Sequence, residues 1–299
     1  MKKVSLALDW TPNTNHIGFF VAKDKGIFKE HGLEITMLDP AEDNYQITPA
    51  KKVETGLADF ALCPMESVIS YRTKALPFKL KAVAAIFKED LSAIVGKKSI
   101  TSPKDLDNKT YASYHARYED EIVKQMIRSD GGEGSLEIVY PDKLGIWDTI
   151  LNEKYDATWI FMNWEGVQAK KEQADLSYFK LKDYAIPYSY SPVIATNEES
   201  INIKEDAYKQ FLAATKEGFL YAKGNDKEAT EILAKYVPER DKNIDLIESL
   251  HASSKYFGDK ETWGKMDPEE VELYVKWIKA KGLESADFRT QDLITNSLL

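Results

Sequence analysis

Short apolar runs and amphipathic stretches take turns along the first third of the chain. Residues 4–8 and 33–38 are apolar runs of strand length, so we predict a strand at each. Residues 16–25 carry apolar positions at helical spacing, which predicts a helix between these strands. The same alternation predicts a helix over 51–55, a strand over 58–64, a helix over 66–74 and a strand over 79–87. Such an order is typical of a mostly parallel sheet covered by helices on both faces.

The alternation starts again at residue 92 and predicts a second α/β unit. Ser102 followed by Pro103 indicates a helix start, with Ser102 as the cap. We predict strands over 110–113, 136–140 and 156–161, and helices over 119–127, 147–152 and 165–173. Residues 178–199 then supply two strands, and helical patterns fill the chain after residue 203.

This order predicts an α/β protein of two lobes, each with a parallel-rich sheet flanked by helices, joined by two crossover connections. We place residues 1–94 and 192–299 in lobe 1 and residues 95–191 in lobe 2. In open α/β sheets, ligands bind beyond the carboxyl ends of the strands. We therefore expect the turns after the strands to meet in one ligand cleft between the lobes.

The charge of the chain argues against nucleic acid as a partner. Its 299 residues carry a formal net charge of -9, whereas neutralising phosphates requires a basic surface. Cys63 is the single cysteine, which excludes an internal disulfide and fits a reducing compartment. The N-terminus lacks the apolar core of a secretory signal, and no apolar run approaches the roughly 20 residues that span a bilayer. We expect a cytoplasmic protein without membrane insertion, or a periplasmic or lipid-anchored one if a signal has been removed.

Motifs of phosphate, dinucleotide and metal chemistry are absent from the sequence. It contains no Walker-type loop, no HExxH and no GxSxG, and the glycines of DGGEGS precede a predicted strand instead of opening a helix. The 4 histidines are scattered, and none has a partner at metal-ligand spacing. We therefore predict no metal site and no cofactor.

Aromatic residues stand beside carboxylates and amides at the ends of several predicted strands. Flat rings suit a flat ligand, because offset stacking adds about 0.5–1.5 kcal/mol per ring pair. Carboxylates and amides can in turn recognise ring nitrogens and an exocyclic amine. The candidate ligand-binding residues are Asp9, Trp10, Asn13, Tyr114, Arg117, Glu119, Trp164, Glu165, Tyr188 and Tyr190.

Each of these residues also has an ordinary structural explanation. A Trp or Tyr is as often part of a hydrophobic core as of a binding site. In addition, 16 tyrosines in one chain make some clustering inevitable. Glu119 and Glu165 stand at predicted helix starts, where a carboxylate stabilises the helix dipole. Only the joint placement at strand ends favours a binding site over packing.

Four segments of the sequence carry a family resemblance. They are LDWTPNTNHIGFFVAKDKGIFKEHGLEI, GLADFAL, WIFMNWEG and AIPYSYSPVIATNEE. Together they resemble the thiamine-pyrimidine family, whose type II-like periplasmic-binding-protein fold the resemblance implies for residues 4–200. One branch of that family comprises solute-binding proteins of transporters for formylaminopyrimidine. The other branch is an enzyme that builds the thiamine pyrimidine from its own active-site histidine and pyridoxal phosphate.

Two positions separate the branches. The enzyme branch carries a cofactor lysine and a substrate histidine in a pattern like GLKAMIH. This chain has ALCPMES there, which puts Cys63 at the lysine position and Ser67 at the histidine position. A Schiff base needs an amine, which neither residue supplies. The enzyme branch also has a CCCFC stretch where this chain has PYSYS, so the resemblance favours the solute-binding branch and a protein that is not an enzyme.

The resemblance implies a protein that closes on a planar nitrogen heterocycle, with a formylaminopyrimidine-like thiamine precursor as the first candidate. We expect Trp10 and Tyr190 to stack on the ring, and Tyr188 and Trp164 to line the cleft. Lobe closure would trap the ligand, with hinges near residues 94–112 and 190–195.

Polar groups would complete the expected site. We expect Asp9, Asn13 and Glu165 to bond ring and amino groups, and Arg117 with Tyr114 to hold an anionic or carbonyl tail at a helix start. A transporter permease of the ABC type is the expected partner if the protein is exported. Three alternatives stay open: the pyridoxal-phosphate-dependent synthase, a cytoplasmic family member with another ligand, and an interaction protein.

Overall fold

The structure is a computed structural model that describes residues 1–141 and 147–299. Its internal contacts divide the chain into two compact units. The first unit comprises Met1–Asp90, Ser189–Glu272 and Ala286–Leu299, and the second comprises Leu91–Tyr188 and Leu273–Ser285.

Strands and helices follow each other in the order that the sequence predicts. The strands are β1 Lys2–Ala7, β2 Leu33–Leu38, β3 Phe60–Cys63, β4 Leu80–Ala85, β5 Ser92–Lys97, β6 Lys109–Ala112, β7 Leu136–Val139, β8 Ala157–Phe161, β9 Leu176–Phe179 and β10 Val193–Asn197. The α-helices are α1 Ile17–Asp24, α2 Ile27–Glu30, α3 Pro49–Glu54, α4 Met65–Thr73, α5 Glu119–Ser129, α6 Glu165–Lys171, α7 Glu198–Ile203, α8 Glu205–Gly224, α9 Asp226–Ala234, α10 Leu246–Ser254, α11 Pro268–Ala280 and α12 Thr290–Leu293.

Each unit contains one mixed five-stranded sheet. The order is β2-β1-β3-β10-β4 in the first unit and β7-β6-β8-β5-β9 in the second. β10 is antiparallel to both of its neighbours, and so is β5, while the other four strands of each sheet run in one direction. β5 is the first strand after the chain passes from the first unit to the second, and β10 is the first strand after it returns, so both sheets have the same plan.

Two predicted helices take other helical forms. Pro103–Leu106 is a single 3-10 turn, in which Asp105 Oδ2 accepts hydrogen bonds from the backbone N–H groups of Thr101 and Ser102. Trp147–Leu151 is a π-helix. Both segments are too short for a sequence period to distinguish one kind of helix from another.

Close packing of α1 against α8 covers one face of the first sheet. A Cβ atom on Gly218 would lie 2.0 Å from the carbonyl oxygen of Gly18, so only hydrogen at this position allows the two helices to approach so closely. Phe19 lies between rings of α8, with centroid distances of 6.3 Å to Phe211 and 5.4 Å to Phe219. Phe211 also stacks on Phe60 of β3, with the ring centroids 4.4 Å apart, so these aromatic contacts join the helices to the sheet.

An apolar cluster fills one side of the second unit. Its buried members are Val95, Ile150, Ile160, Ala169 and Leu176, from β5, β8, α6, β9 and the π-helix. α5 buries Ile122, Val123, Met126 and Ile127, which recur at helical spacing. The apolar pattern of the sequence therefore marks both the sheet and its covering helix.

Residues 273–285 belong by their contacts to the second unit, whereas the sequence pattern predicts 192–299 in lobe 1. One cause is a buried bond of this segment: the Tyr118 hydroxyl donates to Glu284 Oε2 at 2.6 Å. The contacts thus divide the chain at other residues than the predicted boundaries, and the predicted lobes and their cleft remain a prediction. Within the described ranges, no helix has the length and apolar character that crossing a membrane requires.

Candidate functional site

Turns from three strands reach one edge of the first sheet. β1 and β3 are parallel neighbours, so Trp10 follows one strand at the edge where Cys63 ends the other. β10 runs the opposite way and starts with Val193 opposite Cys63, so Tyr190 stands just before it at the same edge. The topology therefore places Asp9, Trp10 and Tyr190 at the same edge of the sheet, where ligands bind in open α/β folds.

Side chains of the turn after β1 hold its shape. Asp9 Oδ1 lies 2.7 Å from Nε2 of the buried His16, and the Asp9 side chain is partly exposed. Asn13 Oδ1 accepts a hydrogen bond from the backbone N–H of Asn15 at 2.8 Å, and Asn13 Nδ2 donates to the carbonyl of Thr11 at 3.0 Å. Asn13 thus caps the short helix Thr14–His16, a structural task that also explains its place in the turn.

Trp10 contacts two residues that are not among the predicted site residues. The Tyr45 ring centroid lies 5.2 Å from that of Trp10 at an interplanar angle of 48°. The guanidinium carbon of Arg240 lies 5.9 Å from the centroid of the Trp10 ring. Tyr45 stands in a polar segment after β2, and Arg240 lies far along the chain, so no local pattern connects either residue with Trp10.

Tyr190 is buried, with 5% of its surface exposed. Its hydroxyl accepts a hydrogen bond from the backbone N–H of Asp267 at 2.8 Å, and its carbonyl accepts one from the N–H of Met65 at 3.0 Å. Burial, together with the neighbouring Glu270 carboxylate, raises the pKa of Tyr190 far above its ordinary value. The hydroxyl is therefore neutral and already bonded, which leaves the ring as the part suited to a ligand.

Cys63 and Ser67 occupy the two positions that separate the family branches. Cys63 is buried, and burial raises the pKa of its thiol far above the ordinary value, with Asp9 and Glu66 adding to the effect. Ser67 lies in the first turn of α4. Neither side chain carries an amine, so these positions do not fit a pyridoxal phosphate linkage.

The second sheet brings corresponding turns together. β6 and β8 are parallel neighbours, so the turns after Ala112 and Phe161 leave the sheet at one edge. β5 runs the opposite way and begins with Ser92 opposite Phe161, at that same edge. This edge carries Tyr114, Arg117, Glu119, Trp164 and Glu165.

Glu119 organises the turn before α5. Its carboxylate accepts hydrogen bonds from the Tyr111 hydroxyl at 2.8 Å, the Tyr114 N–H at 3.0 Å and the Ala116 N–H at 3.3 Å. Only 3% of the residue is exposed, and burial raises the pKa of Glu119 to about 7, with the Asp120 charge adding to the effect. Its three protein donors show that Glu119 positions the turn.

Arg117 already has a carboxylate partner. Its Nη2 lies 2.9 Å from Oε2 of Glu284, whose side chain is only 4% exposed. The neighbouring Tyr114 is exposed and forms part of the turn that Glu119 holds. Glu284 was not predicted as a site residue, because its distance along the chain hides the contact.

The turn after β8 and the segment before β10 contribute buried rings. Trp164 is buried at the N-terminus of α6, and Glu165 Oε2 accepts a hydrogen bond from the N–H of Phe161 at 3.0 Å. Tyr188 meets the ring of Tyr274 edge-on, with the centroids 5.5 Å apart. These residues combine binding-type chemistry with an evident packing role.

The ten predicted residues fall into two groups, one in each unit. Asp9, Trp10, Asn13 and Tyr190 belong to the first unit, and Tyr114, Arg117, Glu119, Trp164, Glu165 and Tyr188 belong to the second. Over residues 1–141 and 147–299, no three His, Cys, Asp or Glu side chains are placed to hold a metal ion.

Comparison with solved structures defines the class of fold. The alkanesulfonate-binding protein of Xanthomonas axonopodis pv. citri, bound to MOPS, superposes with a TM-score of 0.73 at 9% sequence identity, covering 99% of this chain and 98% of that one. The chain therefore has the periplasmic-binding-protein fold, and this prediction is confirmed.

Sequence comparison identifies the family. The profile of the NMT1/THI5-like family matches residues 13–229, and the chain belongs to this family. A formylaminopyrimidine-binding protein of Halalkalibacterium halodurans is 26% identical over 289 residues, which is 94% of this chain and 86% of that protein. A 4-amino-5-hydroxymethyl-2-methylpyrimidine phosphate synthase of Legionella pneumophila is 21% identical over 248 residues, 79% of this chain and 74% of that protein. The resemblance found in the sequence is thus confirmed.

Proposed function

We propose that this protein binds a small planar nitrogen heterocycle, a thiamine-precursor pyrimidine such as formylaminopyrimidine, and does not change it chemically. The observation that carries the proposal is the edge of the first sheet, where a partly exposed indole stands beside a partly exposed carboxylate in a turn fixed by its own hydrogen bonds. The relative of known ligand supports the choice of a pyrimidine.

Trp10 offers the ring contact of the first unit, and Asp9 the polar one. An exocyclic amine of a pyrimidine donates hydrogen bonds, which suits the accessible carboxylate of Asp9. Asn13 has both polar atoms bonded to backbone groups, although its oxygen and its amide nitrogen can each make one further bond. Tyr190 adds a ring whose hydroxyl is already bonded.

In the second unit, we propose direct contact by exposed groups and positioning by buried ones. Tyr114 and Arg117 are accessible and stand where a carbonyl or anionic substituent would find donors. Glu119 and Glu165 are buried and accept backbone N–H groups, so they hold the turns that present a ligand surface. Trp164 and Tyr188 would support that surface from beneath.

The synthase activity of the second relative is the competing function. It would need an imine between an amine of the protein and pyridoxal phosphate, and the amine is absent at Cys63 and Ser67. Incubation with pyridoxal phosphate distinguishes the two functions, because an imine absorbs in the visible range. We expect no such band; a borohydride-reducible band on this chain would favour the enzyme.

A membrane permease is the partner that a solute-binding protein would serve, and we propose an ATP-driven one. Co-purification with candidate permeases from the source cell tests this part of the proposal separately from ligand binding. Cell fractionation with an antibody decides between cytoplasmic and exported locations.

Isothermal calorimetry with formylaminopyrimidine, 4-amino-5-aminomethyl-2-methylpyrimidine and thiamine tests the binding proposal. Micromolar affinity corresponds to about -8 kcal/mol, which a few stacked rings and hydrogen bonds can supply.

Trp10→Ala should weaken binding by about tenfold or more, since it removes the ring contact. Tyr256→Ala removes a partly exposed ring of the same unit outside the strand-end turns and should leave the affinity unchanged. Absence of heat and of a thermal shift with all three compounds would refute the assignment.

A further inference from the structure

Tyr45 is held against Trp10 by an unusual backbone conformation. Asn44 and Tyr45 both have positive φ angles, 54° and 61°, a region that bulky residues rarely adopt. The Tyr45 N–H donates to the carbonyl of Pro40 at 2.8 Å, which anchors the turn. Tyr45 remains 39% exposed. A bulky ring kept in a disfavoured conformation and still open to solvent points to a role in binding.

Arg240 is fixed by this pair of rings. Its Nη2 donates to the Tyr45 hydroxyl at 3.2 Å, and its guanidinium carbon lies 5.9 Å from the Trp10 ring centroid. The side chain is nevertheless 51% exposed. Guanidinium groups that stack on an aromatic ring keep their N–H edge available for a planar acceptor.

The carboxylate next to Arg240 is a weak partner for it. Asp241 Oδ2 forms a long ion pair with Arg240 Nε, at 3.6 Å, which is beyond the usual hydrogen-bond distance. Burial raises the pKa of Asp241, and the hydroxyl of Thr11 lies 3.5 Å from the same oxygen. Arg240 therefore contacts this carboxylate at long distance through Nε, while about half of its own side chain stays exposed.

The other arginines are used differently. Only five of the 40 basic residues are arginines, so guanidinium groups are few in this chain. Arg72, Arg117 and Arg289 each have a carboxylate oxygen within 3.1 Å, and Arg128 donates to a backbone carbonyl. Arg240 stands beside the predicted ring contact, and its contact with Asp241, at 3.6 Å, is longer than the carboxylate contacts of these three arginines.

We infer that Trp10, Tyr45 and Arg240 form a recognition element for an oxyanion carried by the planar ligand, a phosphate ester or a carboxylate. The inference rests on the proposed function, because it places the anion on the heterocycle that Trp10 contacts. A guanidinium fork binds both oxyanions through paired N–H donors. The first unit would then distinguish anionic pyrimidines from neutral ones.

Calorimetry with three matched probes tests this inference. They are 4-amino-5-hydroxymethyl-2-methylpyrimidine, its phosphate monoester, and the corresponding 5-carboxylic acid. We expect at least one anionic probe to bind about 10- to 100-fold more tightly than the alcohol. Arg240→Gln should abolish this preference while the alcohol still binds. Arg240→Lys should keep only part of the preference. Lys242→Gln removes a nearby positive charge that pairs with Glu239 and should leave the preference intact.

The affinity ratio between anionic and neutral probes is the readout that a merely structural role would not move. If the alcohol binds but neither anion binds more tightly, or if Arg240→Gln leaves the ratio unchanged, the inference is wrong while the proposed function stands. If none of the three probes binds, the inference is wrong, and calorimetry with formylaminopyrimidine decides separately whether the proposed function fails with it.

Discussion

Glu119 should make the free energy of unfolding depend on pH, and one substitution should remove this contribution. The residue is buried and accepts three hydrogen bonds from the turn before α5. Glu119→Gln keeps the shape and one acceptor oxygen but cannot ionise. The variant therefore isolates the charge from the packing.

The size of the effect follows from the pKa. Burial raises the pKa of Glu119 from 4.5 to about 7 in the folded protein. The stabilising contribution of the neutral acid is complete below about pH 4.5 and is lost as the pH rises towards about 7, because only the folded state resists ionisation. At about 1.4 kcal/mol per pKa unit, the free energy of unfolding should fall by about 3 kcal/mol across this window through this group alone.

Urea unfolding followed by tryptophan fluorescence measures the effect. The stability difference between wild type and Glu119→Gln should change by about 3 kcal/mol between pH 4.5 and 8. Glu121→Gln is the matched control, because Glu121 lies in the same helical turn, is more exposed and pairs with Lys124 at 2.6 Å. If wild type and Glu119→Gln show the same pH dependence, the raised pKa is wrong.

Two further predictions concern the core and the single thiol. Gly218→Ala should destabilise the protein by about 1–3 kcal/mol or more, because its Cβ would meet the carbonyl of Gly18 at 2.0 Å. Gly224→Ala, at the end of the same helix with open space around it, should be neutral or slightly stabilising, so equal melting temperatures for the two variants would contradict the packing account. Cys63 should resist a thiol reagent in the native protein and react fully in urea, since it is buried and its thiol pKa is raised; rapid native labelling would contradict this.

Local periodicity accounts for what could be predicted of the fold. The strand predicted over 33–38 is β2, Leu33–Leu38, because alternation and burial are local properties. The close approach of α1 and α8 was not predictable, since it depends on two glycines of different helices meeting. The antiparallel direction of β5 and β10 also escaped prediction, because strand direction depends on the path of the whole chain.

The candidate site shows the same limit. Trp10 and Asp9 were selected because both follow a strand whose position is evident in the sequence. Tyr45, Arg240 and Glu284 contact predicted residues only through the tertiary fold, so no spacing reveals them. Asn13 shows that a residue suited to binding by its chemistry can be explained locally, by a cap.

Native mass spectrometry of the purified protein with equimolar formylaminopyrimidine, thiamine and pyridoxal phosphate tests the central claim most directly. We predict a 1:1 complex whose added mass is that of the intact pyrimidine, released without change on gentle activation. The Trp10→Ala variant should show a much smaller fraction of this complex while keeping the charge-state distribution of a folded protein. A stable adduct with pyridoxal phosphate, or no pyrimidine complex at all, would contradict the account.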